Sequence, residues 1–305
     1  MKKVLVIGGS GFLGSHVCDV LTNRGFKVYI FDIEESPYIK DSQEMIIGDI
    51  LDKKSVSSAI SKVDYVYHFA AVADIDEARN NPSKAAEYNI LATLNILDSC
   101  IKHQIKRFIF SSSVYVYSTH GSIYKTTKQA CELFIEDYHK EFGLDFTILR
   151  YGSLYGQRAN EFNFIRNVIK EALIKGEINR KGDGSEVRDY INAIDAANLS
   201  VDILDKEYQN CHIMITGTQT RKVSDLLNII NEIFNNQLKI KYLKDNYSGH
   251  YQLTPYTFKP TIAKKITPQN YFDLGQGLLD CIYCEHEKLV KEGIKVINLD
   301  LLDEK

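Results

Sequence analysis

Tyr124 and Lys128, four residues apart, are the first candidates for chemistry in this chain. On a helix, this spacing places both side chains on one face. An ordinary tyrosine has a pKa of about 10 and is a poor base at neutral pH, but a neighbouring ammonium lowers that pKa. Ser113 ends a run of three serines just before the pair, and its hydroxyl could share a substrate oxygen while the tyrosine exchanges the proton. The pair therefore indicates acid–base chemistry at a hydroxyl or carbonyl group.

A glycine-rich turn near the start of the chain predicts a dinucleotide site. Residues 8–14 read Gly-Gly-Ser-Gly-Phe-Leu-Gly, directly after the apolar run 4–7. Glycine permits the tight turn, and free N–H groups at the following helix start attract a pyrophosphate. Asp32 ends the next apolar run, roughly 20 residues on, where the ribose-binding acid of this fingerprint belongs. Because Glu34 and Glu35 follow it, with no Arg or Lys to meet a 2′-phosphate, the sequence predicts NAD and not NADP as cofactor.

Strand and helix patterns alternate from the start of the chain to about residue 150. The predicted strands are 4–7, 28–31, 44–47, 64–69, 106–111 and 145–150, and the predicted helices are 12–24, 52–61, 84–102 and 125–142. This alternation predicts an α/β fold with a doubly wound parallel sheet of the Rossmann type. Ligands of such sheets bind at the carboxyl ends of the strands, where the candidate site residues lie.

The later part of the chain is less regular, which predicts a second unit. Three of the five prolines fall in one irregular stretch: Pro255, Pro260 and Pro268. We expect a smaller C-terminal substrate-binding lobe with long loops. The predicted division assigns residues 1–150 to the NAD-binding Rossmann domain, with 186–212 returning to it, and residues 151–185 and 213–305 to the lobe.

Composition excludes several classes of function. The net charge of -3 and the pI near 6.3 provide no basic surface for nucleic acid, and no stretch reaches the roughly 20 apolar residues of a membrane span. The chain begins directly with a strand pattern, so we expect a cytoplasmic protein. Cys281 and Cys284 form a C-x-x-C in a predicted helix, 274–290, but without a second pair or nearby His we expect packing residues and no metal.

Several further motifs accompany the glycine turn and the Tyr-x-x-x-Lys pair. They are Gly48-Asp49-Ile50, His68-Phe69-Ala70-Ala71, Asn89, Phe110-Ser111-Ser112-Ser113, Leu149-Arg150-Tyr151, and Gly182-Asp183-Gly184 leading into Arg188-Asp189-Tyr190. Together, over nearly the whole chain, these motifs resemble the extended short-chain dehydrogenase/reductases, in particular the NAD-dependent epimerase/dehydratase family that acts on nucleotide sugars.

The resemblance implies a role for each matching residue. The implied catalytic residues are Tyr124, Lys128 and Ser113. The implied cofactor-binding residues are Gly8, Gly11, Phe12, Leu13, Gly14, Asp32, Asp49, Ile50, Phe69, Ala70, Ala71, Asn89, Tyr124, Lys128 and Tyr151. The implied substrate-binding residues are Ser113, Tyr124, Ser153 and Arg188, the last of which suits a phosphate because its planar fork can bind two oxygens. An ordinary ion-pair role for Arg188 stays open.

Departures from the family pattern narrow the chemistry. Family members that eliminate water carry an acid just after the active-site hydroxyl residue, whereas Val114 and Tyr115 follow Ser113 here. The segment 113–124 is also short, and Ser153 replaces a usual asparagine. The favoured interpretation is an NAD-dependent nucleotide-sugar epimerase-type oxidoreductase that oxidises a sugar hydroxyl, most simply at C4, by hydride transfer.

Two alternative functions stay open, and a second copy of the chain is an expected partner. A nucleotide-sugar 4-dehydrogenase or ketoreductase would use the same residues without epimerisation, and a catalytically silent regulatory protein would bind NAD without turning over a nucleotide sugar. The resemblance also implies a homodimer, in which helices 84–102 and 125–142 pair with their copies in a four-helix bundle.

The acids at and after Asp32 generate a cofactor prediction. We expect NAD to bind at least tenfold more tightly than NADP, a difference of about 1.4 kcal/mol, because a carboxylate repels a 2′-phosphate. Calorimetric titration of both dinucleotides measures this ratio. Equal affinities would contradict the role of Asp32 at the ribose.

Overall fold

The computed structural model describes residues 1–118, 120–244, 264–268 and 271–297. Its strands are β1 (Lys3–Ile7), β2 (Lys27–Asp32), β3 (Glu44–Ile47), β4 (Tyr65–His68), β5 (Arg107–Ser113), β6 (Phe146–Tyr151), β7 (Ser153–Tyr155), β8 (Glu177–Lys181), β9 (Val187–Asn192), β10 (Cys211–Ile215), β11 (Thr220–Lys222), β12 (Lys239–Leu243) and β13 (Lys264–Ile266).

The helices of these ranges lie between the strands. They are α1 (Phe12–Asn23), α2 (Lys53–Ile60), α3 (Ile75–Asn80), α4 (Pro82–Ala86), α5 (Ala92–Lys102), α6 (Ser122–Phe142), α7 (Phe164–Lys175), α8 (Ala193–Asp202), α9 (Val223–Ile233) and α10 (Leu274–Lys291). A π-helical turn, Glu87–Leu91, joins α4 to α5, and short 3₁₀ turns occur at Val114–Tyr117 and Lys206–Tyr208.

Eight strands form one parallel sheet in the order β13-β10-β6-β5-β4-β1-β2-β3. Apolar clusters cover both of its faces, which explains why its central strands are continuous apolar runs. Val4, Leu5, Val6 and Ile7 of β1, for example, are all fully buried. The predicted fold class is confirmed.

A second hydrophobic core lies beside the sheet. It is formed by α7, α9 and α10 with β8 and β9, and includes Ile169, Leu226 and Ile282. Two small sheets accompany it, one of β11, β9 and β7 and the other of β12 and β8. The chain crosses between the two cores more than once, because β10 and β13 return to the large sheet.

The predicted elements match the observed ones closely in the first half of the chain. The predicted helix 84–102 is interrupted by the π-helical turn, and α3 was not expected because its six residues are too few to show a helical period. Of the three late prolines, Pro255 and Pro260 lie outside the described residues. The division into two units stays a prediction; the large sheet takes β13 and residues 213–215 of β10 from the part assigned to the lobe.

Among the described helices, none combines the length and apolar character that crossing a membrane requires.

Candidate active site

One cavity of about 740 Å³ opens at the carboxyl ends of the central strands. This volume lies within the range of about 300–1,000 Å³ that small-molecule sites occupy. Most of the predicted site residues line it: Gly8, Gly11, Phe12, Leu13, Gly14, Asp32, Ile50, Phe69, Ala70, Ala71, Ser113, Tyr124, Tyr151, Ser153 and Arg188. Asp49, Asn89 and Lys128 do not form part of its lining.

The glycine turn is too tightly packed to accept side chains at two positions. Gly8 has a left-handed φ of 82°, and a Cβ there would lie 2.4 Å from the Ala70 nitrogen. A Cβ at Gly14 would lie 2.2 Å from the Gly8 carbonyl oxygen. Gly11 precedes α1 without a side-chain cap among the described residues, so the first N–H groups of this helix are available to an anion. The turn therefore fits the pyrophosphate of NAD.

Asp32 presents a fixed carboxylate to the same cavity. Its Oδ2 accepts a hydrogen bond from the Ser10 N–H at 2.9 Å, and its Oδ1 accepts one from the Ile33 N–H at 2.8 Å. A carboxylate offers about four lone pairs, so both oxygens can still accept bonds from ribose hydroxyls. The charge and position of Asp32 fit the adenosine ribose.

Asp49 and Ile50 occupy different positions relative to the cavity. Ile50 is buried on its wall. The Asp49 Oδ1 accepts a bond from the Leu51 N–H at 2.9 Å, and its Oδ2 faces the Tyr88 hydroxyl at 3.5 Å. Asp49 therefore fixes the chain that carries Ile50, and its role in binding the cofactor stays a prediction.

Asn89 is bonded to the segment after β4, whose residues Phe69, Ala70 and Ala71 line the cavity. Its Oδ1 accepts a bond from the Val72 N–H at 2.7 Å, and its Nδ2 donates to the Thr127 Oγ1 at 3.0 Å. Asn89 thus joins the segment after β4 to α6. Its predicted role in binding the cofactor would be indirect, through the placement of that segment.

Ser113, Tyr124 and Lys128 meet where β5 ends and α6 begins. Tyr124 lines the cavity and is hydrogen-bonded to Ser113. The Lys128 ammonium donates to the Ser111 carbonyl oxygen at 2.7 Å and lies 4.7 Å from the Phe110 ring centroid. The structure therefore brings together the three residues predicted to be catalytic, with Lys128 in a layer behind the other two.

Burial governs the acidity of this group. It raises the pKa of Tyr124 to about 12, and the hydrogen bond to Ser113 offsets only part of the effect. Burial also lowers the pKa of Lys128 to about 8, against the raising effect of Cys131 and Glu132. The Lys128 nitrogen is 5.9 Å from the Tyr124 ring centroid. The ammonium alone thus does not produce the lowered tyrosine pKa expected from the sequence, because desolvation of the phenolate is the larger effect.

Tyr151 contributes its ring to the cavity and directs its hydroxyl elsewhere. The hydroxyl shares a hydrogen bond with the Ser200 Oγ at 2.6 Å, and burial raises the pKa of Tyr151 above its ordinary value. Any contact of Tyr151 with a cofactor would therefore be made by the aromatic ring.

The half of the cavity away from the glycine turn is lined by residues of the second hydrophobic core and its neighbouring strands. Arg188 is buried on its wall and donates to the Val187 carbonyl oxygen at 3.0 Å. Arg180 lines the same part, with its guanidinium bonded to Glu186 at 2.5 Å and 5.1 Å from the Phe164 ring centroid. Two guanidinium groups facing one cavity suit an anionic ligand such as a diphosphate.

The sequence model of the NAD-dependent epimerase/dehydratase family matches residues 4–215. The chain belongs to this family. A putative UDP-glucose 4-epimerase of Methanocaldococcus jannaschii is 31% identical over 248 residues, covering 74% of this chain and 81% of that protein. The UDP-glucose 4-epimerase of Rhizobium meliloti is 26% identical over 278 residues, covering 79% and 84%.

Solved structures of family members share the fold. The UDP-glucose 4-epimerase of Thermotoga maritima, crystallised with UDP-glucose, superposes with a TM-score of 0.81 at 25% identity, covering 94% of this chain and 99% of that chain. These findings confirm the predicted family, the NAD cofactor and an enzyme of the nucleotide-sugar epimerase type.

Several cavity residues of this family member were not predicted from the sequence. Asn160, Phe162 and Asn163 come from the loop between β7 and α7, and Arg180 comes from β8. This loop is held against α1 by the bond from Arg158 to Asp19 at 2.8 Å. No local motif marks these residues, because their place depends on how the second core packs against α1.

The lowered Lys128 pKa generates a pH prediction. If the ammonium donates to the nicotinamide ribose, affinity for NAD should fall as the pH rises through about 8, by up to about tenfold per pH unit. The sign follows because loss of the proton removes the charged donor. Fluorescence titration of NAD at several pH values measures the effect.

Lys128→Met is the matched control for this titration. It should bind NAD more weakly at pH 7 and show no such pH dependence. A parent protein whose affinity is constant well above pH 8 would contradict the ribose role of Lys128.

Proposed function

We propose that this enzyme is a UDP-sugar 4-epimerase in which Tyr124 is the acid–base residue. The observation that carries the proposal is the placement of Tyr124, bonded to Ser113, on the wall of the cavity that also contains the glycine turn and Asp32. Two relatives carry the name UDP-glucose 4-epimerase, which supports UDP as the nucleotide of the substrate and C4 as the reacting carbon.

Each residue has a defined part in the proposed reaction. NAD, when bound, would supply the hydride acceptor. Ser113 donates a hydrogen bond to the C4 oxygen, and Tyr124 takes the hydroxyl proton as the C4–H bond breaks. In the reverse direction Tyr124 returns the proton to the oxygen of the 4-keto sugar, which regains the hydride on its opposite face.

Tyr124 needs positive charge nearby to act as a base, since its pKa is about 12 in the protein. Lys128 provides part of that charge from behind the tyrosine, and the oxidised nicotinamide adds a second positive charge when bound. The tyrosine is therefore expected to ionise only in the holoenzyme. This ties proton removal to the presence of the hydride acceptor.

The proposal assigns the second half of the cavity to the sugar nucleotide. Ser153, Arg188 and Arg180 line the wall beyond Tyr124, and the two arginines would neutralise the diphosphate. Val114 and Tyr115 place no carboxylate after Ser113, which favours epimerisation over elimination of water.

We also propose a cytoplasmic location, which suits six cysteines that are all free in the described chain.

The reaction is tested by incubating the holoenzyme with UDP-glucose in deuterated water. We expect the C4 epimer, no lasting accumulation of NADH and no deuterium at C5, because only elimination or C5 isomerisation exchanges that proton. Tyr124→Phe should lower turnover by roughly 10²–10⁴-fold with nearly unchanged NAD affinity. Ser113→Ala should lower turnover less, because it removes a hydrogen bond and not the proton acceptor.

Three results would overturn the proposal. Net formation of NADH with a stable keto sugar would indicate a dehydrogenase, and deuterium at C5 would indicate a different reaction. A Tyr124→Phe enzyme as fast as the parent would remove the assigned base.

We further propose a homodimer formed through α5 and α6. Leu91, beside the start of α5, is 55% exposed, and Leu133 and Phe134 of α6 are 50% and 38% exposed. Large apolar side chains on neighbouring helices are typical of a surface that a partner covers. A two-fold axis between these helices would bury them in a four-helix bundle.

The dimer is tested by placing a charge on this surface. Leu133→Glu should give a monomer, because an unpaired carboxylate would be buried in the interface. Val290→Glu is the control, since Val290 is 52% exposed on α10, and it should leave the dimer intact. Light scattering at micromolar concentration distinguishes the states; a monomeric parent, or a dimeric Leu133→Glu protein, would refute the proposed interface.

A further inference from the structure

A fully buried ion pair lies directly behind the catalytic group. The Arg150 side chain of β6 has no exposed surface, and Glu132 of α6 is 2% exposed. The Arg150 Nε donates to the Glu132 Oε1 at 3.0 Å, and a second guanidinium nitrogen donates to Oε2 at 2.6 Å. The sequence indicated nothing of this pair, whose members are 18 residues apart.

The ion pair holds both sides of Ser113. The Ser112 hydroxyl, on the preceding residue, donates to the Glu132 Oε1 at 2.5 Å. Arg150 also bonds the hydroxyl of Tyr117, which ends the 3₁₀ turn that follows Ser113. The short segment that carries the catalytic serine is therefore attached to one pair of charges at both of its ends.

The same pair fixes α6. Glu132 follows Lys128 by one helical turn and Tyr124 by two, so all three lie along one face. Lys128 bonds the carbonyl oxygen of Ser111, and Glu132 bonds the side chain of Ser112. Two adjacent turns of α6 are thus attached to two adjacent residues of β5, which restrains sliding of the helix along the strand.

His212 extends the network to β10 without adding charge. Its Nδ1 accepts a bond from Arg150 at 2.8 Å, and its Nε2 donates to the Glu136 carboxylate at 2.9 Å. Burial and the Arg150 charge lower the pKa of His212 to about 3, so the ring is neutral and one tautomer satisfies both contacts. Glu136 lies one turn beyond Glu132, which adds a third attachment point on α6.

We propose that Ser112, Glu132 and Arg150 are positioning residues for the hydride-transfer step, holding Tyr124 of α6 at the correct distance from Ser113 of β5. Stability alone is a weak reason for such a pair, because well-packed apolar residues often stabilise a core as well or better. Geometry is a stronger reason, because misplacement of reacting groups by about 1 Å can cost 10²-fold in rate.

Ser112→Ala tests this role, since it removes only the link between the ion pair and β5. We expect kcat to fall by about tenfold, with KM, NAD affinity and melting temperature close to those of the parent. Thr147→Val is the matched control: Thr147 is a buried residue of β6 whose hydroxyl donates to the Tyr208 carbonyl oxygen at 2.9 Å, away from the ion pair. It should keep the parental kcat.

Crystal structures of the NAD-bound parent and Ser112→Ala proteins provide a second measurement that needs no substrate. The Tyr124 to Ser113 oxygen distance should be longer or more variable in the variant. Glu132→Gln leaves a buried guanidinium without its counter-ion and is expected to lower the melting temperature as well as turnover, so Ser112→Ala is the deciding variant.

The outcomes separate this inference from the proposed function on which it rests. A parental kcat and an unchanged oxygen distance in Ser112→Ala would overturn the positioning role. A parent protein that acts on no UDP-sugar would instead defeat the proposed function, and the crystal comparison would still test the positioning role.

Discussion

The close approach of the glycine turn to the end of β4 is the constraint on which the site depends. Gly8 and Ala70 are in backbone contact, and Gly14 brings α1 down onto the same turn. Since β1 lies between β4 and β2, this contact determines where the start of α1 points relative to Asp32 on one side and to the residues after β4 on the other. The cofactor half of the cavity is a consequence of this one approach.

Two buried cations near the cavity illustrate how surroundings decide what a charge can do. Lys128 has a carbonyl oxygen and two aromatic rings around it, and its pKa is lowered to about 8. Arg150 has a carboxylate bonded to two of its nitrogens and keeps its charge. Lys128 is therefore close to a change of protonation at neutral pH, whereas Arg150 stays charged. Proximity to a reaction centre therefore does not by itself make a buried charge reactive.

The sequence predicted those parts of the site that are encoded in contiguous motifs. The glycine turn, Asp32 and the Tyr124–Lys128 pair follow from local geometry, since a strand, turn and helix place them with little help from the rest of the chain. The Arg150–Glu132 pair and the cavity arginine Arg180 depend on packing between distant segments. The raised Tyr124 pKa was missed for the same reason, because burial is a property of the whole fold. The sequence does contain a helix-start residue for α3, since Asp74 caps it by accepting a bond from the Glu77 N–H. The helix was still missed, because six residues are too few to show a helical period.

The order of strands in the large sheet also has a consequence for synthesis. β6 pairs with β5 on one edge and with β10 on the other, and β13 covers the far edge of β10. A chain still emerging from the ribosome therefore presents β6 with bare backbone groups until Cys211–Ile215 has been made, and an unpaired strand edge readily captures other strands. His212 belongs to the same strand, so Arg150 also lacks one of its buried partners until β10 has been synthesised. The growing chain must keep this incomplete sheet shielded from neighbouring chains while the intervening residues 152–210 are translated.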